Sequence, residues 1–563
     1  MGALTTQPET ALESFFRQES LRPRSNYLVQ PLSNGELAKY SWSEVGEQAR
    51  RIAHHLVSLQ LPTGSHVGLL SKNCAHWIIA DLAIWMAGHV SVPLHPNLNA
   101  DSIHKLIEHA ELRVLFVGPV EGWSKTAGGV PASMHCISLP NGPQGQDLLA
   151  WEQLLEDHPP LESPAQPAPD QLATIIFTSG TTGMPKGVML SFASMFLAAT
   201  NYQRLFNVSA SDRMLSYQSL SHIAERQFVE VSSLLGGQQV YFVEAADTFA
   251  RDARRAQPTL FLASPRVWQQ CMEACERIWS PGWTQFLLSL PVVGPWQGRR
   301  MLARLGLDQV RYAVSGAARL APAVQDWFAR IGLVVVEAYG MTENCGYSHL
   351  GRPGRPKQGY IGLPNPGVEC RLGEHSEILV RSKTLMMGYY KDPARTAEVI
   401  DADGFLHTGD VGEIDQEGFL RLTGRIKDIF KTSRGRYIVP SPIEQALMDL
   451  AEVDEACVVG QDLPQPLALV RLSDDPGASR SACQRALAEV LERINSKLPS
   501  SERLGCLVVV DTPWDVAGGF RTATQKLRRN VVEATWQAYF HDWLVSGQSV
   551  VWHQPEQQQQ ESA

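Results

Sequence analysis

Apolar and polar positions recur along this chain with two periods, and the switches between them mark its elements. Residues 41–59 (SWSEVGEQARRIAHHLVSL) place apolar side chains at helical spacing behind a Ser cap, which predicts an amphipathic helix. A short strand-like run follows at 66–70 (HVGLL), then a helix over 75–88 and a second strand over 89–94. A helix at 102–109 and a strand at 113–117 repeat the unit. Strands alternating with helices predict a parallel sheet covered on both faces. The apolar run 77–94 carries Asp81 and His89 and is barely long enough to span a bilayer, so it reads as a buried helix leading into a strand. No repeat of solenoid type is visible.

The Pro-rich stretch 161–170 (LESPAQPAPD) is a loop that delivers the chain to a β-rich run at 172–178 (LATIIFT). Strand–helix units continue to about residue 340. At 368–379 and 406–422 the runs become short and alternating, with turn residues such as Asp415-Gln416-Glu417-Gly418, so antiparallel hairpins are expected there. From Pro442 a smaller mixed pattern resumes, with a helix at 443–450, a strand at 455–460 and a helix at 481–497. The expected fold is α/β: a large N-terminal domain of α/β layers with a β-rich subdomain over 1–424, a boundary at 425–428, and a small α+β C-terminal domain over 429–545. The end of the chain, 553–563 (HQPEQQQQESA), is low-complexity, and a disordered tail is expected over 546–563.

Composition narrows the function classes. The chain has 563 residues, enough for several domains, and 44% hydrophobic with 19% charged residues excludes a disordered or fibrous protein. A net charge of −9 argues against a dedicated nucleic-acid binder. The 9 cysteines form no zinc pattern: Cys271 and Cys275 sit one helical turn apart with no second pair nearby. Their odd number and irregular spacing suit a reducing compartment. The start MGALTTQPET lacks a basic-then-apolar secretory pattern, so a cytoplasmic location is expected.

The strongest chemical signal is Thr178-Ser179-Gly180-Thr181-Thr182-Gly183-Met184-Pro185-Lys186-Gly187. Glycines let backbone N–H groups turn toward an anion, hydroxyls add donors, and a lysine supplies a point charge suited to phosphate. It is not a Walker loop, because Lys186 precedes Gly187 and no Ser or Thr follows. Taken alone, it could also be a Gly/Thr-rich surface turn. Glu343, after a small turn, is a hard oxygen ligand that suits Mg²⁺ beside phosphates. Tyr339 offers a flat face to an adenine ring. Gly316-Ala317-Ala318, after a strand at 310–314, would let a ring approach the backbone, or else serve close helix–strand packing. Asp410 can accept ribose hydroxyls, although a Thr-Gly-Asp turn alone is a weak signal.

Together these segments resemble the adenylate-forming superfamily, which includes acyl-CoA synthetases, aryl-CoA ligases and firefly-type luciferases. Beside the Thr178–Gly187 loop stand Glu337-Ala338-Tyr339-Gly340-Met341-Thr342-Glu343, then Thr408-Gly409-Asp410, then Gly424-Arg425-Ile426-Lys427-Asp428. Lys431, Gly435, Pro440, Ile443-Glu444 and Thr522-Ala523-Thr524-Gln525-Lys526-Leu527 follow in family order. The resemblance covers about residues 40 to 530. It implies that Thr178 and Glu343 hold Mg²⁺, that Gly316, Ala317, Ala318 and the 337–342 segment receive adenine, and that Gly316 also lines the acyl pocket. It further implies that Asp410 and Arg425 hold the ribose, that Lys427 is the pivot of a mobile C-terminal domain, and that Lys186 and Lys526 stabilise the phosphoryl chemistry. The resemblance also implies that Lys431 serves a later, thioester-forming step, and His222 resembles a pocket-wall position, although a lone His is more often structural.

Finer details resemble the long-chain fatty acyl branch: Ser264-Pro265-Arg266-Val267-Trp268, and Leu220-Ser221-His222-Ile223-Ala224-Glu225-Arg226. The implied reaction joins a medium- to long-chain fatty acid to ATP and then to coenzyme A. The rivals are loading of an acyl carrier protein and a non-catalytic nucleotide- or lipid-sensing relative. One departure is Ser376 directly before Glu377, where the family usually has Gly; this is expected only to reshape a turn far from the chemistry. The segment 279–296, with three tryptophans and with Arg299, Arg300 and Arg304 following, is a candidate for peripheral membrane contact at an inner membrane face, against a helical pair that covers the core. The oligomeric state is left open, a dimer included.

Overall fold

The computed structural model describes residues 10–145, 147–178, 185–279, 286–291, 293–450, 452–473, 479–500, 502–515, 518–522 and 526–553. The helix Trp42–Ser58 begins at Ser41, whose side chain accepts from the Glu44 amide while the Glu44 carboxylate accepts from the Ser41 amide. This reciprocal cap satisfies donors that the first turn leaves open. The run Ala75–Met86 is a helix buried on every side, and Val90–Leu94 is the strand it leads into. Among the described residues no helix is long and apolar enough to cross a membrane.

The chain divides into two compact units, the first made of 1–370, 380–406 and 416–420, the second of 371–379, 407–415 and 421–563. Among the described residues the first unit holds two large sheets. One has a parallel centre of Gln239–Phe242, Arg213–Ser216, Leu260–Ala263, Tyr312–Ser315 and Val335–Tyr339. The other has a parallel centre of Val90–Leu94, His66–Leu70, Val114–Val117 and His135–Ser138. The expected parallel sheet is therefore two sheets, and both are mixed. Leu172–Thr178 joins the second in parallel but then turns back antiparallel into Lys186–Ser191, and Gly388–Tyr389 closes that edge antiparallel. The reason is local: six residues between Thr178 and Pro185 suffice for a hairpin, whereas a parallel return needs a long crossover.

In the second unit Val453–Val459 pairs antiparallel with Leu467–Leu472, which continues in parallel to Leu507–Val509 and Val550–Trp552. Helices Pro440–Met448 and Arg480–Lys497 pack on one face of this sheet through Leu447, Leu487 and Leu491. The expectation of a disordered tail from residue 546 is corrected here. Val550–Trp552 is a strand, and the Trp552 indole N–H donates to Gln484 Oε1 at 3.1 Å. The short apolar run Val550-Val551-Trp552 supplies what the Gln-rich residues after it lack. Residues 554–563 lie outside the described residues.

Candidate active site

In the first unit the Gly/Thr-rich loop is anchored at both ends by the same antiparallel ladder. Thr178 ends one strand, Lys186 begins the next, and the two are direct cross-strand partners. Thr178 Oγ1 donates to the Lys186 carbonyl at 3.5 Å. Ser179, Gly180, Thr181, Thr182 and Gly183 lie outside the described residues.

Lys186 projects its ammonium over the ring of Tyr389, 4.9 Å from the centroid. The Tyr389 hydroxyl donates to Glu343 Oε1 at 2.8 Å. The loop lysine and the signature carboxylate thus converge on one aromatic side chain. Glu343 is buried in the short 3₁₀ turn Thr342–Asn344, and its carbonyl accepts from the Met386 amide at 2.8 Å. That turn is tight because Gly340 lies against Gly346: a Cβ at Gly340 would fall 2.3 Å from the Gly346 carbonyl carbon. Tyr202 fixes the same turn by donating to the Gly346 carbonyl at 2.7 Å.

Gly316, Ala317 and Ala318 follow the strand Tyr312–Ser315 and are open to solvent in part or in full. Ala317 takes a left-handed φ of 71°, uncommon for a residue with a Cβ. Trp268, from the Pro-Arg-Val-Trp element, is fully buried, and its indole N–H donates to the Val314 carbonyl at 3.3 Å, so that element braces the strand leading to Gly316. Glu337 and Tyr339 lie on the next strand, Val335–Tyr339, with Ala338 half-buried between them and Gly340 exposed. Glu337 accepts from the Leu320 amide at 3.1 Å, and burial pushes its carboxyl up to about 7. Tyr339 is itself buried, so its ring is a wall of the region more than an exposed shelf.

His222 caps the short helix Ile223–Glu225, its Nδ1 accepting from the Ala224 amide at 3.2 Å. The two residues that follow the pattern behind it are structural. Glu225 Oε1 accepts from Ser216 Oγ and the Tyr217 amide, both at 2.9 Å, and from Asn73 Nδ2 at 3.2 Å. Arg226 is completely buried, paired with Asp81 at 2.5 Å and Glu230 at 3.0 Å, and lies over the rings of Trp77 and Trp85.

In the second unit Asp410 and Arg425, both assigned to the ribose by resemblance, form an ion pair at 2.9 Å. Asp410 is buried, and its turn is fixed by three bonds. Thr408 Oγ1 donates to the Ile378 carbonyl at 2.7 Å, and the Asp410 amide donates to Thr408 Oγ1 at 3.1 Å. The Gly409 amide, at φ 71°, donates to Glu377 Oε1 at 2.9 Å. The departure at Ser376 is therefore not remote. His375 and Ser376 both take left-handed φ, 55° and 60°, in the turn that delivers Glu377 to the Thr408–Asp410 segment. Sequence reasoning missed Glu377 and Tyr389; the Gly-Tyr before Tyr390 was the one local sign of the latter.

Lys427 is exposed in the 3₁₀ turn Ile426–Asp428. Lys431 lies in the short hairpin Phe430–Lys431 with Tyr437–Ile438, its ammonium 5.6 Å from the Tyr437 ring centre. Lys526 is exposed at the base of a separate turn, where its amide donates to Thr522 Oγ1 at 3.1 Å and Arg521 bridges to Leu527. Residues 523–525 lie outside the described residues.

Comparison with known proteins agrees with this layout. Residues 15–390 match the family model described as AMP-binding enzyme, and residues 427–542 match the model of the AMP-binding enzyme C-terminal domain. The chain is 30% identical to long chain acyl-CoA synthetase 6, peroxisomal, of Arabidopsis thaliana, over 88% of this chain and 80% of that one. It is 27% identical to long-chain-fatty-acid–CoA ligase 5 of Mus musculus, over 87% and 82%. In fold it is similar to the anthranilate CoA ligase AuaEII in complex with anthranoyl-AMP, with a TM-score of 0.78 and 21% identity over 96% of this chain and 99% of that one. With a family model covering most of its first unit and another covering most of its second, this chain belongs to the AMP-binding, adenylate-forming enzymes.

Proposed function

We propose that this enzyme activates a medium- to long-chain fatty acid with ATP to an acyl-adenylate and then transfers the acyl group to coenzyme A. The observation that carries the reading is the convergence of Lys186 and Glu343 on Tyr389, beside the Thr178–Lys186 pair that anchors the hydroxyl-rich loop. Fatty acids are favoured over other acids because the relatives above are named for long-chain acyl groups.

In the first half-reaction a carboxylate oxygen attacks the α-phosphorus of ATP and pyrophosphate leaves. Such a step needs charge neutralisation more than a base. Lys186 would meet the phosphates from the ladder edge, and Lys526 would bridge the attacking oxygen and the α-phosphate. Asp410 and Arg425 would hold the ribose, while Gly316, Ala317, Ala318 and Tyr339 would receive the adenine. The donor set fits Mg²⁺: Glu343 supplies one hard carboxylate oxygen and Thr178 a hydroxyl. Among the described residues no cluster of three His, Cys, Asp or Glu competes as a self-sufficient metal cage. Mg²⁺ prefers such sparse protein ligation completed by phosphates and water, and when bound it neutralises phosphate charge. In the second half-reaction the thiol sulfur attacks the acyl carbonyl carbon and AMP leaves. We assign this state to rotation of the C-terminal domain about Lys427, which withdraws Lys526 and brings in the Lys431 edge.

Ile278, Phe286, Val293 and Trp296 are exposed, Arg300 lies over Trp296, and Trp279 and Leu288 pack on the core. This half-anchored apolar surface supports peripheral membrane contact, where an insoluble acid would be collected. The test of the whole reading is a product assay with ATP, Mg²⁺, a panel of acids and either coenzyme A or an acyl carrier protein. Long-chain acyl-CoA with AMP and pyrophosphate is the expected outcome. Acyl transfer only to the carrier protein would replace the acceptor, and no thioester at all would overturn the reading.

A further inference from the structure

We propose that Tyr389 is a positioning residue that sets the Glu343 carboxylate and the Lys186 ammonium in their working places. The proposal rests on the adenylation reading above. Two independent contacts meet on this one side chain. Its hydroxyl donates to Glu343 Oε1 at 2.8 Å, and its ring face lies 4.9 Å from the Lys186 ammonium. The first contact engages one carboxylate oxygen and orients the other; the second holds a flexible four-carbon stem near one direction. A lysine and a carboxylate that must both face a triphosphate would otherwise be drawn to each other, so a neutral residue that engages both from one place keeps the site open.

The fold fixes Tyr389 with care. It is buried, and it lies in the strand Gly388–Tyr389, antiparallel to Lys186–Ser191, opposite Val188. Its amide donates to Thr396 Oγ1 at 2.8 Å. Gly388 before it has φ 140°, and a Cβ there would stand 3.0 Å from Thr396 Cγ2. The Met386 amide holds the Glu343 carbonyl, so backbone and side chain of the carboxylate are both held from this short segment.

The test reads ATP binding by calorimetry, without acid, across a Mg²⁺ series and in EDTA. Tyr389→Phe keeps the ring and loses the hydroxyl. It should raise the Mg²⁺ concentration needed for half-maximal ATP binding by about 10–100-fold, the scale for losing a partner of a metal ligand, and leave metal-free ATP affinity unchanged. Tyr389→Leu should in addition weaken metal-free ATP binding severalfold. Because Tyr389→Phe leaves a buried carboxylate short of a donor, the cycle includes Glu343→Gln and the double variant. The double variant should match Glu343→Gln in Mg²⁺ response and fold as well as it does. Unchanged Mg²⁺ dependence in Tyr389→Phe, or additive losses in the double variant, would overturn the proposal. Loss of fatty-acid activation in the wild type with the Mg²⁺ shift intact would instead remove the adenylation reading and leave the role of Tyr389 standing.

Discussion

Lys431 and Lys526 are alike in charge and unlike in setting. One lies over a tyrosine ring in a two-strand hairpin, the other at the base of a turn ahead of the helix Arg529–Trp536. Lys526→Ala should cut adenylation by about 10²–10³, the scale of one lost transition-state electrostatic contact, and spare thioester formation from supplied acyl-adenylate. Lys431→Ala should fall on the second step; equal losses in both steps for both variants would contradict the division. Glu225 gives a pH signature. Burial pushes its carboxyl up to about 8, against about 4.3 for a free glutamate. Between those values the folded protein keeps a proton that the unfolded chain has released, so this group's stabilisation is lost as pH rises and levels off above 8. Glu225→Gln, followed by urea unfolding at pH 5.5 and 7.5, should flatten the decline by up to about 1.4 kcal/mol per pH unit; an unchanged slope would refute the assignment. Lys186, Glu343 and Asp410 were legible because each sits inside a local motif. Tyr389 and Glu377 were not, because the partners that give them a role lie 46 and 32 residues away, and the local Gly-Tyr and Ser-Glu pairs do not reveal those contacts.

Elements were legible where one side chain decides a boundary. Ser41 starts the helix Trp42–Ser58 as its position predicts, whereas the helix read at 481–497 begins one residue earlier, behind an unread cap at Ser479. They were less legible where tertiary pairing decides: the antiparallel return after Thr178, and the strand Val550–Trp552 in what reads as tail. The Leu-x-His-x-x-Glu-Arg element shows the same limit for function. Its family likeness points to the acyl pocket, yet Glu225 and Arg226 bind strands and helices of the core, and only His222 is left at the helix start. Arg226→Ala would take from Asp81, which also accepts from Ser91 Oγ, its cationic partner in a site with no solvent access. Removing one partner of such a pair costs about 3–5 kcal/mol. The variant should therefore unfold at clearly lower denaturant, while His222→Ala should alter acid preference with little change in stability. A stable Arg226→Ala protein would contradict this role.

At the scale of the whole molecule, the residues assigned by resemblance fall in both compact units. The first holds Lys186, Glu343 and the strand Val335–Tyr339; the second holds Asp410, Arg425, Lys431 and Lys526. The exposed apolar side chains Phe286 and Trp296, proposed above to meet a membrane, belong to the first unit. Phe286→Ser with Trp296→Ser should reduce sedimentation with anionic vesicles severalfold and leave activity on a soluble short-chain acid unchanged; unaltered sedimentation would remove the proposal. The account stands or falls on the first half-reaction. The direct measurement is acid-dependent exchange of labelled pyrophosphate into ATP, without coenzyme A, across fatty acids from C8 to C18 with acetate and benzoate alongside. The account predicts exchange that requires Mg²⁺, is strongest with fatty acids and falls by about 10²–10³ in Lys526→Ala. Exchange led by acetate or benzoate would contradict the fatty-acid assignment, and no exchange with any acid would contradict adenylation itself.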